Sequence, residues 1–199
     1  GSLGDAPRAC RRELADAAPE PGDQQPRDPR VEREPEHRAA RRLELRDARA
    51  GKPTLYRYYL APSYLTADKG DAEALELMMK IAAQGATSRL YQKLVVDDKV
   101  ASSAGGWYSG SGLDSGKIAI SAVAADGVGL DKIEAGIDAV LADIKANGVT
   151  DEELTRAKKL YVADFVYESD SQSTLARRYG WGLVVGRSIP EIDGWPKEI

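Results

Sequence analysis

All nine tyrosines, all three tryptophans and the single phenylalanine of this 199-residue chain lie beyond residue 50. A packed core needs large apolar side chains, so folding is confined to the part of the chain that carries them. Residues 1–50 hold eleven Arg, no Lys and six of the ten Pro; of Ile, Leu, Val and Met they contain only Leu3, Leu14, Val31, Leu43 and Leu45. Ordering a backbone costs roughly 1–2 kcal/mol per residue, and so little apolar surface cannot offset it. Residues 1–41 therefore read as a disordered or non-native Arg/Pro-rich tail. The non-native reading rests on residue usage, because beyond residue 50 the bias reverses to eleven Lys against six Arg. GC-rich DNA read in a shifted frame would produce such a switch. Eleven acidic residues balance the eleven Arg, which speaks against a nucleic-acid-binding arm.

The whole chain carries a net charge of −4 with a pI near 5.2, not the basic surface that grips nucleic acid. No stretch approaches the roughly 20 apolar residues of a membrane span. The N-terminus lacks the apolar core of a secretory signal, and Gly1-Ser2 suits an expression scar, so it names no compartment. One cysteine, Cys10, excludes an internal disulfide framework and any zinc site built on two thiolates of this chain. One histidine, His37, stands in Pro35-Glu36-His37-Arg38, where Glu34 and Glu36 could complete only a weak site. It reads as a solvated tail residue. A hydrolytic zinc usually takes three protein ligands, and a serine triad needs a placed histidine; neither is supplied. The expected catalytic set is none, and the expected metal set is none.

From residue 42 onward, elements can be read. Leu43 and Leu45 alternate with Glu44 and Arg46 as in a short strand. Thr54 to Leu60 is rich in strand formers and stops at Pro62. Asp71 to Ala83 reads as a helix with Ala74, Leu75, Met78, Met79 and Ala82 on its apolar face. Thr87 or Ser88 can cap a helix from Arg89 to about Asp97. Residues 99–108 and 116–124 read as two strands joined through Ser109-Gly110-Ser111-Gly112. Asp131 to Ala146 is amphipathic, and Thr150-Asp151-Glu152-Glu153 is a capping box ahead of the stripe Leu154, Ala157, Tyr161, Phe165. Residues 172–186 form a further helix, and a new element starts near Trp195. Strands, helices, a hairpin and long helices predict an α+β domain, with an antiparallel-containing sheet packed against several helices.

The remaining chemical candidates have plain readings. The run Ala104 to Gly112 lacks the Lys-Ser/Thr ending of a phosphate loop and sits between strands, so it reads as a hairpin turn. Gly127-Val128-Gly129 reads as a loop. Asp97-Asp98 reads as solvated, and Asp151-Glu152-Glu153 as a helix start favoured by the macrodipole. Arg177-Arg178 reads as a surface or interface pair, with the alternative of holding a peptide or a partner carboxylate.

The segment Gly85-Ala86-Thr87-Ser88-Arg89-Leu90-Tyr91-Gln92-Lys93-Leu94 resembles a helix of the pitrilysin/insulinase-type zinc peptidases. The similarity continues through the hairpin, through Gly148 to Lys158 and through Gln172 to Arg177, covering about residues 42–199; the tail does not share it. The resemblance implies a fold of paired α+β domains. The first of each pair carries an inverted His-x-x-Glu-His motif, and the second has lost the metal and closes a chamber around the peptide. This chain resembles the second domain, and by the family pattern it would continue with another helix and strand, so it reads as truncated. Some metal-free halves hold substrate with an Arg and a Tyr seven positions apart. Here those positions carry Val95 and Ser102, which offer no equivalent donor or phenol. In bacterial two-subunit members the subunit with the metal motif often lacks this pair, so the chain resembles the rear half of a metal-bearing subunit.

The function so implied is that of a non-catalytic domain of a zinc metalloendopeptidase, inert alone. It would form chamber wall and a peptide- and partner-binding surface, offering sheet edges to an extended peptide by β-strand addition and an interface to other domains. Implied partners are a peptide or unfolded protein, a metal-bearing N-terminal domain and a second homologous subunit. Zinc belongs to the intact parent, and no cofactor to this chain. The parent's expected location is the periplasm, with the cytoplasm as the other compartment. The alternative readings are a scaffolding or assembly subunit without proteolytic role, and an unrelated α+β binding domain.

Overall fold

The computed structural model describes residue 35, residues 38–47 and residues 49–198. Cys10, His37 and almost all of the expected tail lie outside the described residues.

Strand β1 is Thr54–Ala61. Helix α1 is Asp71–Ala83, and α2 starts as Arg89–Tyr91 and continues as a wider π-helical stretch, Gln92–Asp97. Strands β2, Ala101–Ser109, and β3, Gly116–Ala124, form the hairpin. Four helices follow: α3 is Leu130–Asn147, α4 is Asp151–Glu168, α5 is Gln172–Val184 and α6 is Ile189–Glu198. The sheet has the order β1-β3-β2 with both pairings antiparallel, so the α+β expectation holds.

Strand alternation divides the sheet into two faces. Cross-strand partners share a side, so Leu55–Ala122–Ala104, Arg57–Ile120–Gly106 and Tyr59–Ile118–Tyr108 line the inner face. There Ile120 and Ala122 meet Met79, Ala82 and Ala83 of α1, Leu90 and Leu94 of α2, and Ile133, Ile137 and Val140 of α3. Arg57 is the charge on this face, and it reaches the rim, where its fork binds Asp138 and, at 2.9 Å, Glu134 of α3.

A second small cluster, Leu77, Ile81 and Ala157 with Leu154 and Tyr161, joins α1 to α4. Helix α1 is therefore covered on two sides. This corrects the single apolar face expected from its sequence: Ala74 is exposed, Leu75 and Met78 are half-buried, and Ala72, Leu77 and Ile81 are buried. Two glycines permit the close packing. A Cβ on Gly106 would stand 2.6 Å from the Ala119 carbonyl oxygen and 3.0 Å from both Ala83 Cβ and Met79 Cε. A Cβ on Gly136 of α3 would overlap Leu94 Cδ2.

Three other local expectations are revised. Residues 41–47 form no strand, and Leu43 and Leu45 are almost fully exposed; two alternating leucines define a face but supply no partner strand. Strand β2 begins at Ala101, because Lys99 takes a left-handed φ of 55° and Val100 N–H closes the end of α2 by donating to Leu94 C=O at 3.0 Å. The last helix begins at Ile189, six residues ahead of Trp195. Its signal was present: Ser188 N–H donates to the Glu191 carboxylate at 2.7 Å, and Glu191 N–H returns to the Ser188 hydroxyl at 3.4 Å, a second capping box.

The first capping box does more than end a helix. Thr150 N–H donates to Glu153 at 2.8 Å and Glu153 N–H to Thr150 Oγ1 at 3.2 Å. The same carboxylate takes the Arg89 fork at 2.8 and 2.6 Å, while the third Arg89 nitrogen reaches Asp143 of α3 at 2.8 Å. Arg89 thus ties α2, α3 and α4 together, and it holds the Glu153 carboxyl down at about 2, against an ordinary 4.5. A carboxyl depressed in the folded state stabilises it above the unfolded pKa, and that stability is lost as pH falls toward the folded one. Urea denaturation at pH 6 and pH 3 should therefore show an acid-side loss that Arg89→Met reduces. With solvent screening, the difference is about 1 kcal/mol.

Candidate functional site

Five side chains of the Gly85–Leu94 motif, Ser88, Arg89, Leu90, Gln92 and Leu94, are occupied by architecture. The Ser88 hydroxyl accepts from Tyr91 N–H and donates to Gly85 C=O at 2.8 Å, capping α2. Arg89 makes the three-helix tie, the Gln92 amide donates to Ala86 C=O at 2.6 Å, and Leu90 and Leu94 are wholly buried. None of these side chains is left to act on a ligand.

The positions expected to differ from the family are placed as follows. Val95 lies in the π-helical stretch, half-buried against the main core. Ser102 lies where the β2–β3 register shifts between Ala101 and Ser103, and its hydroxyl faces the carbonyls of Val123 and Ala124 at 3.4 and 3.5 Å. Asp98 pairs with Lys93 at 2.8 Å. Arg178 stacks 4.0 Å over the Phe165 ring and pairs with Glu168, while Arg177 is exposed. The glycine-rich run divides: Ala104 to Ser109 belong to β2, and only Gly110 to Gly112 turn. Among the described residues no group of three His, Cys, Asp or Glu side chains could hold a metal ion. The residues described do not fit zinc.

What the structure does present is the outer face of the sheet. Helices α1, α2 and α3 pack on the inner face, and the outward side chains are Tyr56, Tyr58 and Leu60 of β1, Trp107 of β2 and Lys117 of β3. Tyr56 and Tyr58 lie with ring centroids 6.4 Å apart, nearly parallel, and are 62% and 64% exposed. Lys117 Nζ sits 5.3 Å above the Trp107 ring. Ala119, between Tyr58 and Trp107 in the ladder, is buried by these neighbours. Among the described residues no strand pairs with the outer edge of β1 or of β2. A row of free backbone donors and acceptors beside exposed aromatic rings is what an incoming extended chain can use. Sequence reasoning named strand edges but no residues. The available signal was that Tyr56, Tyr58 and Leu60 fill one phase of the strand while Leu55 and Tyr59 flank Arg57 in the other, so that large side chains stand on both faces.

Comparison with known proteins matches this architecture. The family model described as the peptidase M16 inactive domain matches residues 10–161. That span begins inside the segment set apart above as tail and takes in β1 through most of α4. No curated protein matches the chain. Among solved structures, a protease from Helicobacter pylori is 21% identical, with a TM-score of 0.65, over 73% of this chain and 34% of its own. The inactive peptidase domain of a protein described as a zinc protease, from Bordetella parapertussis, is 22% identical over 78% of this chain and 81% of its own, with a TM-score of 0.65. A peptidase M16 inactive domain from Pseudomonas fluorescens is 16% identical over 73% of this chain and 34% of its own, with a TM-score of 0.63. At these identities the structures share the fold, and this chain spans about a third of the Helicobacter and Pseudomonas proteins.

Proposed function

Since the chain belongs to the peptidase M16 inactive-domain family, we propose that it serves as the non-catalytic domain of a zinc metalloendopeptidase. Its role is to form chamber wall and to bind an extended peptide along the free edge of β1. The observation that carries this reading is the open face: Tyr56, Tyr58, Leu60 and Trp107 stand outward beside an edge with no partner strand among the described residues. Zinc in this reading is held by a metal-bearing domain of the same enzyme, and a second homologous subunit completes the chamber. With valine at position 95 and serine at 102, peptide recognition falls to backbone hydrogen bonds along the strand and to the aromatic rings, which are tolerant of sequence.

The test is amide hydrogen exchange with a reduced, alkylated protein as the unfolded ligand. Saturation should slow exchange at the β1 amides that face away from β3. Tyr58→Ser should weaken binding by roughly tenfold, the effect of losing one well-placed aromatic contact. Saturated binding without protection of β1 would overturn the assignment, and no binding at all would favour the scaffolding alternative.

A further inference from the structure

Helices α1, α4, α5 and α6, with Tyr64 after β1 and Ser111 of the hairpin turn, line a cleft of about 390 Å³. Its volume falls within the range of small-ligand sites. Its aromatic frame is fixed: the Tyr161 and Trp195 rings meet edge-on with centroids 5.3 Å apart, Phe165 and Trp195 stack at 6.2 Å, and Trp195 Nε1–H donates to the Tyr64 hydroxyl at 2.7 Å.

Three acids and three bases line the cleft, and two of each form ion pairs. Lys80 pairs with Asp164 at 3.0 Å and Arg178 with Glu168. Arg187 lies 4.3 Å over the Tyr64 ring and donates to Glu191 C=O at 3.2 Å. Glu76 of α1, half-buried in the wall, has no salt-bridge partner among the described residues. Its side chain is served by the Tyr64 hydroxyl, with Arg187 acting on it through space.

We propose that this cleft receives the cationic head of a lysine or arginine side chain from a bound polypeptide, pairing it with the Glu76 carboxylate. The aliphatic stem of such a side chain lies against Tyr161 and Trp195 while its head completes the missing ion pair. Arg187 is already held by the Tyr64 ring and the Glu191 carbonyl, so Glu76 is the lining carboxylate that a neutral or anionic guest would leave without a cation. The site needs only the cleft and stands apart from the peptidase reading, so either can fail alone.

Burial lifts the Glu76 carboxyl to about 7, and neighbouring Glu73 adds to the rise, while Tyr64 and Arg187 oppose it. The three tyrosines that feel this carboxylate, Tyr64, Tyr108 and Tyr161, are all raised by burial and stay neutral. Lys80 of α1, Asp164 and Glu168 of α4 and Arg178 of α5 complete the charged surroundings. A cation binds the ionised carboxylate, so affinity should rise as pH climbs through 7. From pH 6 to pH 8 the ionised fraction, and with it the affinity, grows about tenfold.

The experiment titrates Nα-acetyl-arginine amide and Nα-acetyl-lysine amide into the full chain, with the citrulline and norleucine amides as neutral matches, following the Trp195 indole N–H by NMR. The proposal expects saturable shifts with the cationic probes alone, affinity about tenfold higher at pH 8 than at pH 6, and loss of both affinity and pH dependence in Glu76→Gln. Calorimetry of the unmodified chain at pH 7, in buffers of different ionisation heat, should show proton release on binding, which needs no variant to fold. Equal binding of the neutral probes, unchanged binding by a folded Glu76→Gln, no proton release, or no saturable shift with any probe overturns it.

Discussion

Gly106→Val is expected to destabilise the domain by about 3 kcal/mol, the upper range for forcing atoms into a packed core. On an open strand the same change would add stability, because valine favours extended backbone and glycine loses more entropy on folding. The sign is therefore diagnostic. At this position a Cβ meets a backbone oxygen of β3 and two α1 side chains at 3.0 Å or less, and the valine methyls extend further. Helix α1 cannot retreat, because α4 covers its other side through Leu77, Ile81 and Ala157. Urea denaturation should show a lower midpoint at an unchanged slope. A gain in stability would mean that α1 does not rest on the sheet at this glycine.

The second large effect is at the α2–α3 crossing. Leu94→Ala should cost about 4 kcal/mol, the lost transfer energy of a fully buried leucine plus the cavity it leaves. Gly136→Ala alone should cost about 2 kcal/mol, because its Cβ overlaps the leucine methyl. In the double variant the new methyl occupies space that the leucine vacates. The cost of the double variant should therefore fall short of the sum of the two single costs by at least about 1 kcal/mol. Strict additivity in denaturant-measured stabilities would contradict this packing.

The sequence made the local elements legible and left their tertiary roles obscure. The hairpin, α3, and the box at Thr150 and Glu153 followed from alternation, helical period and cap chemistry. The box at Ser188 and Glu191 obeys the same rule, but the proline and glycine around it masked the start of α6. Leu43 and Leu45 misled because period two needs a neighbouring strand to become structure. The peptidase-like motif was recognisable as a pattern, yet Arg89 has its partners 54 and 64 residues away. No local reading distinguishes such a tie from a binding residue. The open sheet face and the Glu76 cleft are harder still, since each is assembled from three or more elements. What could be read in advance was the deficit in histidine and cysteine, which pointed away from metal chemistry in this chain.

The central claim is that the chemistry-like motif of this chain is spent on holding helices together, and the role proposed with it is to bind and wall a substrate without cutting it. The most direct measurement incubates the purified chain with a reduced, alkylated protein in zinc-supplemented buffer and in buffer with chelator, and follows new peptide termini. The account predicts no cleavage above background in either arm. Cleavage that requires zinc and stops with chelator would contradict it.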